Sequence, residues 1–333
     1  MTASVVRSTT TSRVFGIVCA IAVVALALLP TWGSDSFQRK LIELFVLIAL
    51  AQMWNLLAGF AGVVSVGQQA FVGLGAYGMI IWVNNNGLNL YLSIVLSAVF
   101  AAAISIPMGL IAFRLRGSYF AIGTWVLAEV ASLMMKSNNS VGGGSGASIK
   151  VAGTEPAARL DMTYWFAFTI GVGSIALSYI VLRSRLGLQL QATRDNEGGA
   201  RSLGVHSYRA QFGIWVIAAF VTAAAGATFY LLSLRVQPTG AFSVAQWTAP
   251  IIFIVVIGGI GTIEGPIIGA LIYYWGRDQF LDQLTWYQIS LGLVAIVAAL
   301  WGQRGLWGVI RGRFGVELFP VRRRLVITAS DAD

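Results

Sequence analysis

Long apolar blocks separated by short polar segments run along the whole chain. They cover residues 14–32, 41–58, 66–83, 90–113, 118–135, 163–182, 212–234, 247–276 and 286–302. Most are near the length of about 20 residues at which an α-helix crosses a hydrocarbon layer of about 30 Å. The pattern predicts an all-α integral membrane protein, built almost entirely from transmembrane helices.

The block at residues 247–276 is too long for one straight span and too short for two full crossings. The segment Gly258-Gly259-Ile260-Gly261-Thr262-Ile263-Glu264-Gly265-Pro266 interrupts it. Glycine and proline at this density break or turn a helix. We expect two short or half-length helices that meet at a turn, which gives about ten passes in total. A nine-pass arrangement stays open at this point.

The distribution of arginine and lysine favours the ten-pass arrangement. With the N-terminus inside, the inner segments hold 15 of the 22 basic residues and the outer segments hold the other seven. This asymmetry is the one that the positive-inside rule requires, and it predicts an N-in and C-in topology. It also explains the net charge of +9 without a nucleic-acid partner. The first apolar block resembles a secretory signal, but the further blocks behind it favour a retained helix.

Composition agrees with a membrane protein and excludes an internal disulfide and several kinds of metal site. Hydrophobic residues make up 57% and charged residues 11% of the chain, against about 25% charged residues in soluble domains. The single cysteine, Cys19, excludes an internal disulfide. With one histidine, His206, the chain cannot build a usual zinc, haem or iron–sulfur site from its own residues.

The expected domain organisation follows the spans. Residues 1–13 form a cytoplasmic tail, residues 14–302 the transmembrane domain, and residues 303–333 a basic cytoplasmic tail. Two loops inside the transmembrane domain are long, an external one at residues 136–162 and a cytoplasmic one at residues 183–211.

Two glycine-rich segments hold candidate residues for helix packing or for lining a pathway. Small residues let helices approach closely in lipid, and polar groups at membrane depth are tolerated where they line a cavity or bond a neighbouring helix. Both interpretations stay open for each residue. The candidates are Ser65, Gly67, Gln68, Gln69, Phe71, Gly73, Gly75 and Tyr77 in the first segment, and Gly258, Gly259, Gly261, Glu264, Gly265 and Pro266 in the second.

Few ionisable residues lie inside the predicted spans. Glu129 lies well inside the fifth, Glu264 in the glycine-rich break, and Glu43 near the start of the second. A charge within the membrane is a candidate functional residue, although Glu129 could be a packing residue and Glu264 could lie in an inner turn.

A third glycine run, residues 142–146, lacks the lysine that a phosphate-binding loop needs. It predicts a flexible outer turn, or a loop that shapes the outer mouth or touches an external partner.

The inner loop contains the most specific local pattern. Asp195 or Asn196 can cap a helix whose first turn holds Glu197, and Leu203 with Gly204 would end it. We expect a short helix across the inner surface, with an ordinary solvated connection as the alternative. Long structured loops tend to be functional. The candidate residues are Arg194, Asp195, Asn196, Glu197, Ala200, Leu203 and Gly204.

Four segments in this order and spacing resemble the permease subunits of branched-chain amino acid ABC importers, the LivM type. They are residues 65–77 (SVGQQAFVGLGAY), 114–122 (RLRGSYFAI), 194–197 (RDNE) and 258–270 (GGIGTIEGPIIGA), and the resemblance covers about residues 40–302. It implies an ABC importer permease bundle in the bacterial inner membrane that moves a small polar solute, such as a branched-chain or related amino acid, by alternating access.

The resemblance also implies roles and partners. Residues 192–205 resemble the coupling helix that docks into a separate ATPase subunit. The implied partners are a second homologous permease subunit, two ATPase subunits, an external (periplasmic) solute-binding protein and membrane lipid. ATP and Mg²⁺ would be used by the ATPase subunits, with no cofactor bound by this chain. The family usually has alanine in place of Gly199 and often an acidic residue in place of Arg201, which puts the detailed docking contacts in doubt.

Alternative functions stay open. Relatives of the same architecture handle urea, short-chain amides and aromatic acids. An ion-coupled secondary transporter or channel would favour paired intramembrane carboxylates or a charged filter, and the isolated glutamates fit this poorly. A membrane-embedded enzyme has few candidate catalytic groups here.

Overall fold

The computed structural model describes residues 2–6, 10–151, 153, 155–279, 289–290, 292–294, 296, 305–314, 318–319 and 324–328. The apolar block expected at residues 286–302 lies largely outside the described residues. Every other predicted block corresponds to a helix.

The described chain is almost entirely helical. The helices are α1 (Thr10–Ala27), α2 (Asp35–Asn55), α3 (Gln68–Met79), α4 (Leu90–Ala112), α5 (Ser118–Ser137), α6 (Pro156–Arg183), α7 (Arg185–Asp195), α8 (Glu197–Ser202), α9 (Ser207–Ser233), α10 (Pro238–Ala241), α11 (Ala249–Gly258), α12 (Glu264–Gln279) and α13 (Gly305–Phe314). Wider π-helical turns extend α2 through Leu56–Phe60, extend α3 through Ile80–Asn85, and precede α11 at Val244–Thr248.

Short strands form two antiparallel pairs. Strand β1 (Thr2–Val6) pairs with β4 (Arg324–Thr328), and β2 (Ala147–Ser148) pairs with β3 (Arg235–Val236).

Five helices of the described chain are long and apolar enough to cross a membrane: Asp35–Phe60, Leu90–Ala112, Ser118–Ser137, Pro156–Arg183 and Ser207–Ser233. Gly16–Thr31 and Val244–Gly258 are shorter apolar helices. These lengths and compositions fit a multi-pass membrane protein.

Helix α3 is the centre of the bundle. All 12 of its residues are buried, and it packs against α4, α5 and α9. A Cβ atom at Gly75 would collide with the backbone oxygen of Ala223 on α9, and one at Gly226 of α9 would collide with the backbone of Val72. The small residues therefore bring the backbones of α3 and α9 into direct contact, as small residues do between helices in lipid.

The interrupted block contains two helices, as predicted. Helix α11 ends at Gly258, α12 begins at Glu264, and the two pack against each other. The turn between them places Gly259 and Gly261 at φ angles of 131° and 75°, which are accessible to glycine at little cost.

The loops collect at the two ends of the bundle. At one end, the segment after α2 contacts α7 and the 259–263 turn, and the 318–319 segment contacts Glu264. At the other end, Asn84 bonds the backbone of Ser148 and Lys150, and Lys40 pairs with Asp278. In the described chain, the end of α2, the end of α7, the 259–263 turn and residues 318–319 therefore lie together at one end.

Both long loops are more ordered than the sequence indicated. The predicted cytoplasmic loop contains two helices, α7 and α8, where we expected one. In the outer loop, the glycine run forms tight turns with positive φ at Gly142, Gly143 and Gly146. Helix α6 begins at Pro156, ahead of the expected span at residue 163. Strand β2 follows these turns directly and pairs with β3, and the flexibility of the outer turn stays a prediction.

The contact between α3 and α9 predicts that Gly75→Ala destabilises the protein. The added methyl group meets the backbone of Ala223 and forces the helices apart, at an expected cost of about 1–3 kcal/mol. Thermal unfolding in mild detergent measures this. Gly213→Ala on α9 is the matched control, because its Cβ atom meets nothing within 4 Å. Equal melting temperatures for the two variants would contradict the proposed close contact.

Candidate functional site

Helix α7 is anchored in the bundle at both of its ends. The hydroxyl of Ser184 caps it by accepting a 3.1 Å hydrogen bond from the Leu186 amide. Near its C-terminal end, the Thr193 hydroxyl donates a 3.1 Å hydrogen bond to the hydroxyl of Ser207 at the start of α9. Leu190 between them is fully buried. The sequence analysis missed this helix, although Ser184 as a cap and the i, i+3 spacing of Leu190 and Thr193 were available as signals.

Helix α8 has the predicted cap and the predicted end. The Asn196 side chain accepts a 2.8 Å hydrogen bond from the Gly199 amide, and Glu197 follows in the first turn. The helix stops at Leu203, and Gly204 follows with a φ of 81°. Of the two possible caps, Asn196 is the one used, because Asp195 is the last residue of α7.

The surface of α8 is exposed. Arg201 donates a 2.6 Å hydrogen bond to Glu197, and the two residues form an i, i+4 ion pair. Ala200 is buried against the protein, whereas Leu203 is 86% exposed. A short helix with an apolar residue beside a charge pair therefore faces outward from this end of the bundle.

Arg194 joins α7 to the end of α2. Its Nη1 donates a 2.7 Å hydrogen bond to the backbone oxygen of Gly59. Its Nε and Nη2 bond the Asp195 carboxylate at 3.0 and 2.8 Å. The guanidinium is thus held between its own helix and the π-helical end of α2.

Two amide side chains of α2 hold the turn between α11 and α12. Asn55 accepts a 2.8 Å hydrogen bond from the Gly261 amide and donates one of 2.7 Å to the Thr262 oxygen. Gln52 donates one of 2.7 Å to the Ile263 oxygen. Buried backbone groups outside a helix need such partners, above all where no water is present.

Sequence reasoning missed Gln52 and Asn55. The available signal was their spacing of three residues on one face of the second half of α2, which is otherwise apolar.

The second glycine-rich segment lies at this site. A Cβ atom at Gly258 would overlap the backbone of Gly265, so both positions need glycine for the tight hairpin. Glu264 is buried at the N-terminus of α12, where a carboxylate is favourable, and it accepts a 2.9 Å hydrogen bond from the Phe319 amide. Pro266 lies in the first turn, where a missing amide hydrogen removes no helical bond.

A small cavity of about 50 Å³ lies between α7, the turn and α13. Its lining residues are Phe60, Gln191, Arg194, Gly261, Thr262, Ile263, Glu264, Trp307, Arg311 and Phe319.

The first glycine-rich segment contacts protein along its length. Trp54 donates a 2.7 Å hydrogen bond to the Ser65 oxygen, and the backbone amide of Gln69 bonds the Thr248 hydroxyl at 3.2 Å. The candidates with buried side chains or close backbone contacts are Ser65, Gly67, Gln68, Gln69, Phe71, Gly73, Gly75 and Tyr77. Within this single chain they pack helices together, and the pathway role stays a prediction.

The remaining carboxylates lie elsewhere. Glu129 is on the outward face of α5, with a side chain 54% exposed and 3.8 Å from the Lys136 ammonium. Glu43 lies 3.7 Å from Arg277 at the end of the bundle opposite α8. The structure thus brings the inner loop and the second glycine segment together with α2, and places Glu129 and Glu43 apart from them.

Comparison with known proteins gives a consistent result. Residues 40–302 match the family described as branched-chain amino acid transport system, permease component. The high-affinity branched-chain amino acid transport system permease proteins LivM of Escherichia coli (strain K12) and Salmonella typhimurium (strain LT2) are each 24% identical to this chain, over 91% of its length and 77% of theirs. Among solved structures, PsaBC from Streptococcus pneumoniae in complex with Fab has a TM-score of 0.44 at 14% identity, covering 87% of this chain and 99% of that one.

Proposed function

Because this chain belongs to the permease component family of branched-chain amino acid transport systems, we propose that it is the membrane-spanning subunit of an ATP-driven importer in which α8 receives the force. The chain is a multi-pass inner-membrane permease component. The expected solute is a branched-chain or related amino acid.

One observation carries the proposal: a continuous set of contacts leads from α8 to the interrupted helix. Helix α8 follows α7 directly, and Arg194 at the end of α7 bonds Gly59. Asn55, one turn earlier in α2, bonds the turn at Gly261. A displacement of α8 therefore reaches both α2 and the α11–α12 hairpin through hydrogen-bonded contacts rather than through a loose loop.

The proposed mechanism requires further subunits besides this chain. Two ATPase subunits bind ATP and Mg²⁺, and their closure pulls on residues 192–205. A second homologous permease subunit completes the pathway, and an external solute-binding protein delivers the solute. The helices then rock so that the pathway opens alternately to the two sides, with discontinuous helices beside the pathway, as in many transporters.

The proposed topology has about ten passes, some half-length or broken, with both termini in the cytoplasm. Among the described residues, Arg194 and Arg311 line one cavity at the α8 end and Arg201 lies on α8 itself, which supports this orientation. In this arrangement residues 1–13 and 303–333 are cytoplasmic tails, residues 136–162 are external, and residues 183–211 are cytoplasmic.

Cysteine labelling tests the topology. In a Cys19→Ser chain, Ser140→Cys should react with a membrane-impermeant maleimide on right-side-out vesicles, because residue 140 lies in the external loop. Ser202→Cys on α8 should react only after the vesicles are permeabilised. Labelling of Ser202→Cys in intact vesicles would overturn the proposed orientation.

Docking through α8 predicts that Leu203→Ala weakens the assembly. Leu203 is 86% exposed in the single chain, and its burial in an ATPase groove should contribute roughly 2 kcal/mol, about tenfold or more in affinity. Co-purification of ATPase subunits with the detergent-solubilised chain measures this. Leu188→Ala on α7 removes an equally large exposed side chain outside the α8 surface and should not change the yield of ATPase. An equal loss for both variants would contradict a specific role of α8.

Arg194→Ala should uncouple ATP hydrolysis from uptake. Loss of the bond to Gly59 breaks the contact between α7 and α2, so solute uptake by vesicles should fall about tenfold or more while ATP hydrolysis continues. Arg185→Ala removes the same charge from the exposed start of the same helix and should have little effect. Unchanged uptake by Arg194→Ala would exclude Arg194 as the connection.

A further inference from the structure

Glu129 lies near the middle of a membrane span, on the face that points away from the bundle. Helix α5 has 20 residues, a length of about 30 Å, which matches the hydrocarbon thickness of a bilayer. Glu129 is therefore close to the bilayer midplane. Its buried neighbours on the helix, Thr124, Ala128 and Ala131, face the core, whereas the Glu129 side chain is 54% exposed.

A carboxylate at this depth is not compatible with contact to lipid chains. A charge at the centre of a bilayer is costly, and such residues face water-filled cavities or other protein. The same face carries Ile122, Trp125, Val126 and Leu133, all of them exposed. This face of α5 thus combines a charge with a large apolar surface, and its charge requires an aqueous or polar neighbour.

The single charge partner of Glu129 among the described residues, Lys136, holds it loosely. The Lys136 nitrogen is 3.8 Å from the nearer carboxylate oxygen, longer than the 2.7–2.9 Å typical of a charge-assisted hydrogen bond. A carboxylate has about four acceptor positions and an ammonium three donors, so both groups retain hydrogen-bonding capacity.

We propose that Glu129 and Lys136 form a binding site for the zwitterionic head group of the transported amino acid. The solute ammonium binds the Glu129 carboxylate, and the solute carboxylate binds the Lys136 ammonium. The zwitterion enters between two opposite charges and leaves the net charge of the site unchanged, so no unpaired charge is created within the membrane. Trp125 on the same face provides the apolar contact for the side chain of the solute.

The site rests on the proposed function and gives it a solute class. A solute with both charges can exchange with the ion pair, whereas an amine or a carboxylic acid satisfies one partner and leaves the other without a counter-charge. The exposed face then belongs to the pathway beside the second permease subunit.

Accessibility of the face is tested in membrane vesicles that contain the complete transporter. The variant Leu133→Cys in a Cys19→Ser chain keeps both charges and places a thiol one turn from each of them. A water-soluble methanethiosulfonate reagent should label it about tenfold or more faster than Val99→Cys, because the exposed face of α4 around Val99 has no such charge and borders lipid. Equal rates would overturn the proposal, since lipid or protein would then cover the face.

Protection by leucine tests binding. Leucine should slow the labelling of Leu133→Cys several-fold, and its α-keto acid and 3-methylbutylamine should not, since each lacks one charge. Adding Glu129→Gln should abolish the protection. Protection that persists in Glu129→Gln, or that the keto acid and amine also provide, would overturn the site.

A double variant separates binding from mutual neutralisation. Glu129→Gln and Lys136→Gln should each lower ATP-driven leucine uptake by proteoliposomes about 10- to 100-fold, and the double variant should be at least as impaired. If Glu129 and Lys136 only neutralise each other's charge, the double variant has no unpaired charge and should regain uptake, which would refute the site.

Wild-type proteoliposomes without ATP-driven leucine uptake would overturn the proposed function and the site together. Wild-type uptake without leucine protection of Leu133→Cys would overturn the site alone.

Discussion

The requirement that backbone groups in a membrane be hydrogen-bonded determines how this bundle is built. The turn between α11 and α12 leaves its amides and carbonyls without helical partners, and Asn55 and Gln52 of α2 supply them. Because these side chains come from one face of one helix, the turn cannot move independently of α2. Arg194 connects α7 to the same helix end through the oxygen of Gly59, so three separate parts of the chain share one polar network.

Close packing around α3 complements this network. In lipid, helices gain little from hydrophobic burial, and contact between backbones through small residues replaces it. Gly75 and Gly226 let α3 and α9 touch, while Phe71 packs edge-on against Trp215 at a ring distance of 5.2 Å. Close packing of small residues therefore stabilises the centre of the bundle, and side-chain hydrogen bonds stabilise one of its ends.

The sequence predicted the elements whose signal is local. Apolar block lengths gave the spans, the glycine and proline run gave the α11–α12 hairpin, and the Asn196 and Glu197 pattern gave the cap of α8. Contacts between distant segments could not be predicted from the sequence. The partner of Asn55 lies about 200 residues away, and a polar side chain in a span could form a hydrogen bond with the backbone of many other segments. Helix α7 was missed since its charged residues resembled a solvated loop. The position of Glu129 within a long apolar helix was predicted from the block lengths, but its outward orientation depends on tertiary packing.

The Glu197–Arg201 pair has a consequence for the evolution of this surface. Each charge of α8 already has a counter-charge on its own helix, so a protein that binds there meets a nearly neutral surface. Recognition then relies on the fit of Leu203 and is little affected by ionic strength, because screening acts mainly on unpaired charges. Replacement of Arg201 by an acidic residue would leave two carboxylates one turn apart. A protein surface that binds α8 would then need a basic residue to face them, so the two surfaces would have to change together.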